Sequence, residues 1–96
     1  MEFQDRVAVV TGGASGIGLG MVRAFTKRGM KLVVADLDEV ALDRAVEEVI
    51  AGGGEAGGQL CDVSDRDAVQ ALADKAIASF GKVNVLCNNA GVGIPT

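Results

Sequence analysis

A glycine-rich segment near the start of the chain has residue types and a spacing that suit the binding of phosphate. Residues 11–18 have the sequence Thr-Gly-Gly-Ala-Ser-Gly-Ile-Gly and lie between an apolar run and an amphipathic one. A helix that begins near Gly16, Ile17 and Gly18 leaves backbone N–H groups without partners and with partial positive charge, which favours a pyrophosphate. Glycines carry no Cβ and therefore let phosphates approach the backbone closely. A turn that only fits a tight corner between strand and helix is the alternative.

An aspartate follows at the distance that the recognition of a ribose requires. Asp36 ends the second apolar run, 18 residues after Gly18. A carboxylate at this place in a dinucleotide-binding fold accepts hydrogen bonds from the adenine-side ribose hydroxyls. It also repels a 2′-phosphate, and neither Ser15 nor Leu37 is a basic residue that would hold one. The pattern predicts NAD, with NADP disfavoured. The alternative is that Asp36 caps the following helix, although Asp38 is the expected cap and would leave Asp36 free.

The composition excludes several kinds of chemistry within these 96 residues. The chain has no His, no Tyr and no Trp, so it lacks His-based metal sites, His-based proton transfer and any Tyr acid or base. Cys61 and Cys87 lack the CxxC spacing of a metal site, and we predict that both are small buried side chains. The net charge of −4 and the lack of a basic run exclude the electrostatic footprint of a nucleic-acid partner.

Location and solubility follow from the hydropathy pattern. The apolar fraction is 49% and the mean hydropathy is +0.33, too high for a disordered polar segment. The acidic N-terminus lacks the pattern of a signal peptide. No apolar run approaches the roughly 18 residues of a membrane span. We therefore expect a cytoplasmic protein without a membrane partner.

Four short apolar runs predict the strands that position these residues. Residues 6–10 and 32–35 do not alternate in polarity, which indicates strands buried on both faces. Residues 59–61 predict a weaker third strand, preceded by a flexible turn through Gly57 and Gly58. Residues 83–87 predict a fourth.

Three amphipathic segments between these strands predict helices. Each has apolar residues at helical spacing on one face and ends at a glycine. Ser64 is the expected cap of the third helix, with Asp67 three residues later. The predicted apolar stripes are Ile17, Met21, Ala24 and Phe25 in the first helix, Leu42, Ala45, Val46, Val49 and Ile50 in the second, and Val69, Leu72, Ala73, Ala76, Ile77 and Phe80 in the third. Strands that alternate with helices predict an α/β domain with a parallel sheet and right-handed crossovers.

Three motifs in register resemble those of the short-chain dehydrogenase/reductase family. They are Thr11-Gly12-x-x-x-Gly16-x-Gly18, Asp62-Val63 after the third strand, and Asn88-Asn89-Ala90-Gly91 after the fourth. The resemblance covers the whole chain. It implies a Rossmann-like sheet of strand order 3-2-1-4, with the first two helices on one face and the third on the other. That order places two strands between Cys61 and Cys87 and disfavours a disulfide between them.

The resemblance also implies roles for individual residues. Thr11 should tie the glycine-rich turn, which includes Gly12, to the turn after the fourth strand. The residues expected around the ribose and pyrophosphate are Ser15, Gly16, Ile17 and Gly18. Asp36 and the backbone of Leu37 should hold the adenosine ribose. Asp62 should bind the adenine amino group, and the Val63 N–H a ring nitrogen. The residues expected to line the adenosine side of the cleft are Asn89, Ala90 and Gly91.

Simpler structural roles remain open for some of these residues. Asp62 and Ser64 would serve equally as caps of the third helix, and Asn88 and Asn89 would satisfy backbone groups of a turn. The sequence departs from the family pattern at three positions. The departures are Gly20 for a frequent Ala, Asn84 for a common Asp, and Cys87 for an aliphatic residue.

The implied activity is hydride transfer between NAD(H) and an alcohol or carbonyl substrate. The family's catalytic Tyr, Lys and Ser lie beyond the Asn-Asn-Ala-Gly turn, so no residue here is assigned a catalytic role. We expect residues 1–96 to form the N-terminal half of one NAD(P)-binding domain, inactive alone, with the catalytic half absent. Its open face should pair with that half or with copies of the chain. The alternatives are a dinucleotide-binding module without chemistry and a self-associating assembly fragment.

Overall fold

Four strands alternate with three helices along residues 3–89, the part of the chain that the computed structural model describes. The predicted sites at Ala90 and Gly91 lie outside these residues. The elements, in chain order, are β1 Val7–Thr11, α1 Gly16–Lys27, β2 Lys31–Asp36, α2 Glu39–Ala51, β3 Ala56–Leu60, α3 Arg66–Phe80 and β4 Val85–Asn88.

The strands form one parallel sheet of order β3-β2-β1-β4, which confirms the predicted topology. Every residue of β1 is buried, as its run of β-branched and small apolar side chains predicts. Thr11 pairs with Ala35 on one side and with Asn88 on the other. The last residues of β1, β2 and β4 therefore lie along one edge of the sheet.

The helices cover both faces of the sheet. On one face α1 and α2 pack over alternate side chains of β1 and β2, and on the other α3 is the only helix within residues 3–89. The first core includes Val10, Val22, Leu32, Val34 and Leu42. The second is smaller and includes Val9, Val33, Cys61, Leu72 and Ala76.

The buried face of α1 differs from the predicted stripe. Gly18 and Val22 are the buried residues of the helix, whereas Ile17 is 76% exposed. Met21 and Phe25 are half-buried against the core, and Ala24 is exposed. The reason is the close approach of Gly18 to the backbone of the preceding turn, which fixes the rotation of the first helical turn. A pattern of apolar residues alone does not reveal such a backbone contact.

The predicted apolar face of α3 is wider than the face that the helix buries. Leu72 and Ala76 are buried, but Val69 and Ile77 are 39% and 51% exposed. Between α3 and β4 lies an apolar cavity of about 330 Å³, whose lining includes Val63, Val69, Ala73, Val83 and Leu86. We call it the open groove.

On the opposite face of the sheet Ile50, in the last turn of α2, is also exposed, contrary to its place in the predicted stripe.

Gly57 and Gly58 belong to strand β3, so the predicted turn at these residues is wrong. They pair with Val33 and Val34 of β2. A Cβ on Gly58 would lie 3.1 Å from Cγ2 of Val46, so the strand passes close beneath α2. Pairing with β2 and packing against α2 outweigh the low strand propensity of glycine.

The helix caps agree with the sequence at α2 and differ from it at α3. Asp38 caps α2, as predicted, and its Oδ1 accepts from the Ala41 N–H at 3.1 Å. The cap of α3 is Asp65, and the prediction of Ser64 is wrong. The Ser64 hydroxyl instead donates to Asp62 Oδ1 at 2.7 Å, so the helix begins one residue later.

Both cysteines are free thiols, and they lie near opposite edges of the sheet. Cys61 is buried beside α3, and Cys87 is half-buried in β4. Burial raises the pKa of each thiol, and nearby carboxylates raise that of Cys61 further. Both therefore remain protonated at neutral pH and are poor nucleophiles.

None of the helices in residues 3–89 is long and apolar enough to cross a membrane.

Candidate functional site

The carboxyl edge of the sheet brings together the predicted site residues. Thr11, Asp36 and Asn88 end β1, β2 and β4, and the glycine-rich turn leaves β1 at the same edge. The chain crosses from β1 to β2 on one side and reaches β4 on the other. Ligands of open α/β sheets bind at this kind of switch point.

Glycines give the turn its shape. Gly12 and Gly16 have φ angles of 63° and 55°, in the left-handed region that other residues rarely adopt. Gly18 lies against the turn so closely that a Cβ there would overlap the Gly12 carbonyl oxygen and lie 2.9 Å from Asn89 Nδ2. The backbone of the first helical turn is therefore bare and packed directly on the turn.

The start of α1 lacks the side-chain acceptor that α2 and α3 have. Ser15 is its N-cap residue, with extended backbone, and its hydroxyl makes no capping hydrogen bond. The first turn of the helix contains no acidic residue, whereas Asp38 and Asp65 cap the other two helices. Ser15, Gly16 and Ile17 are exposed. The free N–H groups and the helix dipole present partial positive charge to solvent beside the strand ends.

The sequence predicts that Asp36 is free, but in the structure both of its carboxylate oxygens accept hydrogen bonds. Its Oδ2 accepts from the Ala14 N–H at 3.1 Å, and its Oδ1 accepts from the Asp38 N–H at 3.1 Å. The neighbouring Leu37 is 70% exposed. The contribution of Ala14 was missed because a backbone N–H carries no sequence signal.

The turn after β4 is joined to the glycine-rich turn. The Thr11 hydroxyl oxygen lies 3.0 Å from Asn88 Oδ1 and 3.3 Å from the Cys87 carbonyl oxygen. Asn89 Nδ2 donates to the Gly12 carbonyl at 3.4 Å. The hydrogen bond expected of Thr11 is thus present, and Asn89 lies beside the turn.

Asn84 anchors the start of β4, a role that sequence analysis missed. Its Oδ1 accepts from the Val7 N–H at 2.8 Å, and its own N–H donates to the Val7 carbonyl at 2.8 Å. An Asp, common at this position in the family that the sequence resembles, also offers a side-chain oxygen. The departure to Asn therefore keeps the acceptor.

Asp62 and Val63 follow β3 at the same edge. Asp62 Oδ1 accepts from the Ser64 hydroxyl at 2.7 Å and from its N–H at 2.9 Å. The Ser64 hydroxyl is the main cause of the lowered pKa of Asp62, which is exposed and remains a carboxylate at neutral pH. Val63 is half-buried against the α3 core.

The arrangement fits a dinucleotide. An uncapped helix start suits a pyrophosphate, a cradle that a Cβ on Gly18 would fill allows close approach, and carboxylates at two strand ends offer acceptors to hydroxyl and amino groups.

Comparison with known proteins identifies the family. Residues 6–96 match the family model described as short chain dehydrogenase. The chain belongs to the short-chain dehydrogenase family. Members of this family are oxidoreductases, and the sheet topology of this chain is the one that its sequence predicts.

Individual relatives support the assignment. The 1-deoxy-11-beta-hydroxypentalenate dehydrogenase of Streptomyces exfoliatus is 45% identical over 92 residues, which cover 96% of this chain and 34% of the relative. A short-chain dehydrogenase/reductase from Burkholderia phymatum in complex with NAD is 49% identical, with a TM-score of 0.87 over 90% of this chain and 31% of that one. An actinorhodin polyketide ketoreductase with NADPH is 39% identical, with a TM-score of 0.86 over 91% and 33%.

Two facts follow from these relatives. This chain spans about a third of the length of each of them. The two similar structures contain different cofactors, NAD in one and NADPH in the other. Membership of the family therefore does not fix the choice between these two cofactors.

Proposed function

We propose that this chain is the cofactor-binding part of an NAD-dependent oxidoreductase that transfers hydride between NAD(H) and an alcohol or carbonyl substrate. The main support is the start of α1, where exposed N–H groups and the lack of a side-chain cap leave positive potential beside the glycine-rich turn. The pyrophosphate of NAD would accept hydrogen bonds from the backbone at Ser15, Gly16, Ile17 and Gly18.

Asp36 is the proposed determinant of cofactor choice. Its carboxylate at the end of β2 would accept hydrogen bonds from the adenosine ribose hydroxyls, with the Leu37 backbone beside it. Its charge would repel a 2′-phosphate. Ser15 follows Ala14, whose N–H bonds Asp36, and Leu37 follows Asp36 itself; both are exposed, and neither offers a positive charge to offset that repulsion. We therefore propose NAD, with NADP bound more weakly.

The adenine would bind against the segment that follows β3. Asp62 is exposed and ionised at neutral pH, and the Ser64 hydroxyl lowers its pKa further, so the carboxylate is able to accept a hydrogen bond from the adenine amino group. The N–H of Val63 would donate to a ring nitrogen. Asn89, Ala90 and Gly91 are proposed to line the adenosine side, and the last two lie outside the described residues.

The residues of this chain bind and orient, and the nicotinamide supplies the reaction. When bound, it accepts or donates the hydride that is exchanged with the substrate carbon. The glycine-rich turn and α1 would fix the phosphates, and Asp36 would fix the ribose. The chain contains no Tyr, and we assign it no catalytic residue.

We also propose that residues 1–96 form the N-terminal half of a single domain and that further polypeptide covers the open groove. The support is the exposed apolar side chains of Val69, Ile77 and Leu86, the last on a strand that pairs only with β1 among the described residues. This polypeptide is the catalytic half or a second copy of the chain. A cytoplasmic location stays a prediction.

Calorimetric titration with NADH and NADPH tests the proposal. We expect NADH to bind and to bind more tightly than NADPH. Oxidation of alcohols with NAD⁺, or reduction of ketones with NADH, should occur only when the catalytic half is present. Binding without turnover by the complete protein would favour a binding module. The absence of NADH binding by the complete protein would overturn the proposal, and tighter binding of NADPH would overturn the cofactor choice.

A further inference from the structure

We propose that Asp36 is a positioning residue for the phosphate site as well as the partner of the ribose. Its carboxylate joins three segments, namely the end of β2, the glycine-rich turn through the Ala14 N–H, and the start of α2 through the Asp38 N–H. The inference rests on the proposed function, and it adds that the turn depends on Asp36 for its position.

The contact to Ala14 is the important one. Ala14 is 7% exposed, so its N–H needs a protein acceptor, and Asp36 Oδ2 is the one that the structure provides. The preceding N–H, of Gly13, donates to the Ala35 carbonyl at 3.1 Å. Two consecutive N–H groups of the turn are thus bonded to the end of β2, and the next residue, Ser15, is the N-cap of α1. A shift at Ala14 therefore moves the N–H groups proposed to bind phosphate.

The two roles of Asp36 are compatible. Each carboxylate oxygen has two acceptor sites and receives one backbone N–H here. The remaining sites are left for ribose hydroxyls. The consequence is that replacing Asp36 to relax the choice between NAD and NADP also disturbs the phosphate site, so affinity for both cofactors falls.

Inorganic pyrophosphate separates the two roles, because it has no ribose. We compare Asp36→Ala, Asp36→Asn and Asp43→Ala in the complete protein, by titration with NADH and with pyrophosphate and by amide hydrogen exchange of Ala14. For Asp36→Ala we expect exchange at Ala14 to be about ten-fold faster or more, and pyrophosphate binding about ten-fold weaker. Asp36→Asn keeps one acceptor oxygen and should retain more pyrophosphate binding. Asp43→Ala removes an exposed carboxylate of α2 that is not the acceptor of the Ala14 N–H, and both readouts should stay at the wild-type level.

The outcomes distinguish this inference from the proposed function. If Asp36→Ala weakens NADH binding but leaves pyrophosphate binding or Ala14 exchange unchanged, Asp36 contacts only the ribose and the inference is overturned, whereas the proposed function stands. If the wild-type protein binds neither NADH nor pyrophosphate, the proposed function fails, and the positioning role fails with it.

Discussion

Gly18 and Gly20 lie two residues apart on α1 and meet different surroundings. A Cβ on Gly18 would overlap the Gly12 carbonyl, whereas a Cβ on Gly20 would meet no atom within 4 Å. We expect Gly18→Ala to reduce the free energy of unfolding by about 1–3 kcal/mol, as overpacking does, and to abolish NADH binding. Urea unfolding and calorimetric titration measure both effects.

Gly20→Ala is the matched control for this change. It should raise the free energy of unfolding by roughly 0.5–1 kcal/mol, because alanine favours a helix, and it should leave NADH binding unchanged. Equal effects of the two substitutions on binding would contradict the role given to the Gly18 contact.

The bond between Ser64 and Asp62 makes the stability of this edge depend on pH. This hydrogen bond lowers the pKa of Asp62 from its ordinary value of 3.8. Its contribution to the free energy of unfolding is therefore complete above pH 3.8, and it is lost as the pH falls through the lowered pKa of the folded protein. Ser64→Ala should raise the pKa of Asp62, as followed by NMR titration of its carboxyl carbon. The variant should be less stable than the wild type at neutral pH, and the difference should shrink in acid.

Ser79→Ala is the control for the titration, because Ser79 is an exposed serine near the end of α3. It should leave the pKa of Asp62 at the wild-type value. A wild-type pKa for Asp62 in Ser64→Ala would show that the hydroxyl does not stabilise the carboxylate.

At the scale of single residues, the sequence predicts side chains better than the backbone groups that they meet. The places of Asp36 and Asp62 at strand ends follow from strand length and spacing. The partners of Asp36, the N–H groups of Ala14 and Asp38, depend on how two turns fold over the end of β2. A residue type carries no information about such a contact.

At the scale of elements, the cap of α3 gives a direct test of where the helix begins. Asp65 Oδ1 accepts from the N–H groups of Asp67 and Ala68 at 2.9 and 3.4 Å. Asp65→Ala should therefore cost about 1 kcal/mol of unfolding free energy, measured by urea denaturation.

Asp67→Ala is the control for this cap, because Asp67 lies in the same helical turn and acts through the helix dipole. It should cost less than Asp65→Ala, about 0.3–1 kcal/mol. A larger loss for Asp67→Ala than for Asp65→Ala would contradict the assigned start of the helix.

The elements themselves were predictable where hydrophobic burial determines them. The apolar runs of β1 and β2 and the three amphipathic segments predict the observed order of strands and helices. The prediction fails where tertiary contacts outweigh local preference, as at Gly57 and Gly58, which pair with β2. It also fails where the contacting face is set by a backbone approach, as at Gly18 in α1.

At the scale of the whole molecule, the two faces of the sheet are covered unequally, and this predicts how the chain associates. Leu86 is 64% exposed in the open groove, whereas Ile50 is 54% exposed on the face covered by α1 and α2. If polypeptide covers the groove, Leu86→Lys should reduce the association of the chain with itself or with its catalytic half. Sedimentation velocity measures this.

Ile50→Lys is the matched control, since it places the same charge at a similarly exposed apolar position on the other face. It should leave the association constant within about two-fold of the wild type, as surface changes away from a contact usually do. A wild-type chain that is a stable monomer at high concentration, with no binding to the catalytic half, would contradict a covered groove.

The positions of the core residues along the sequence affect the order in which the parts of the fold form during translation. The buried residues of the first core all lie within residues 8–49, and partly buried residues of β3 and β4 pack at its margin. A nascent chain emerges from the ribosome N-terminus first, and its domains fold as they emerge. Thr11 meets Asn88, 77 positions later, only when the last strand has been translated. We therefore expect the glycine-rich turn to receive its partners from Asn88 and Asn89 only at the end of translation of this segment, after the residues of the first core have been synthesised.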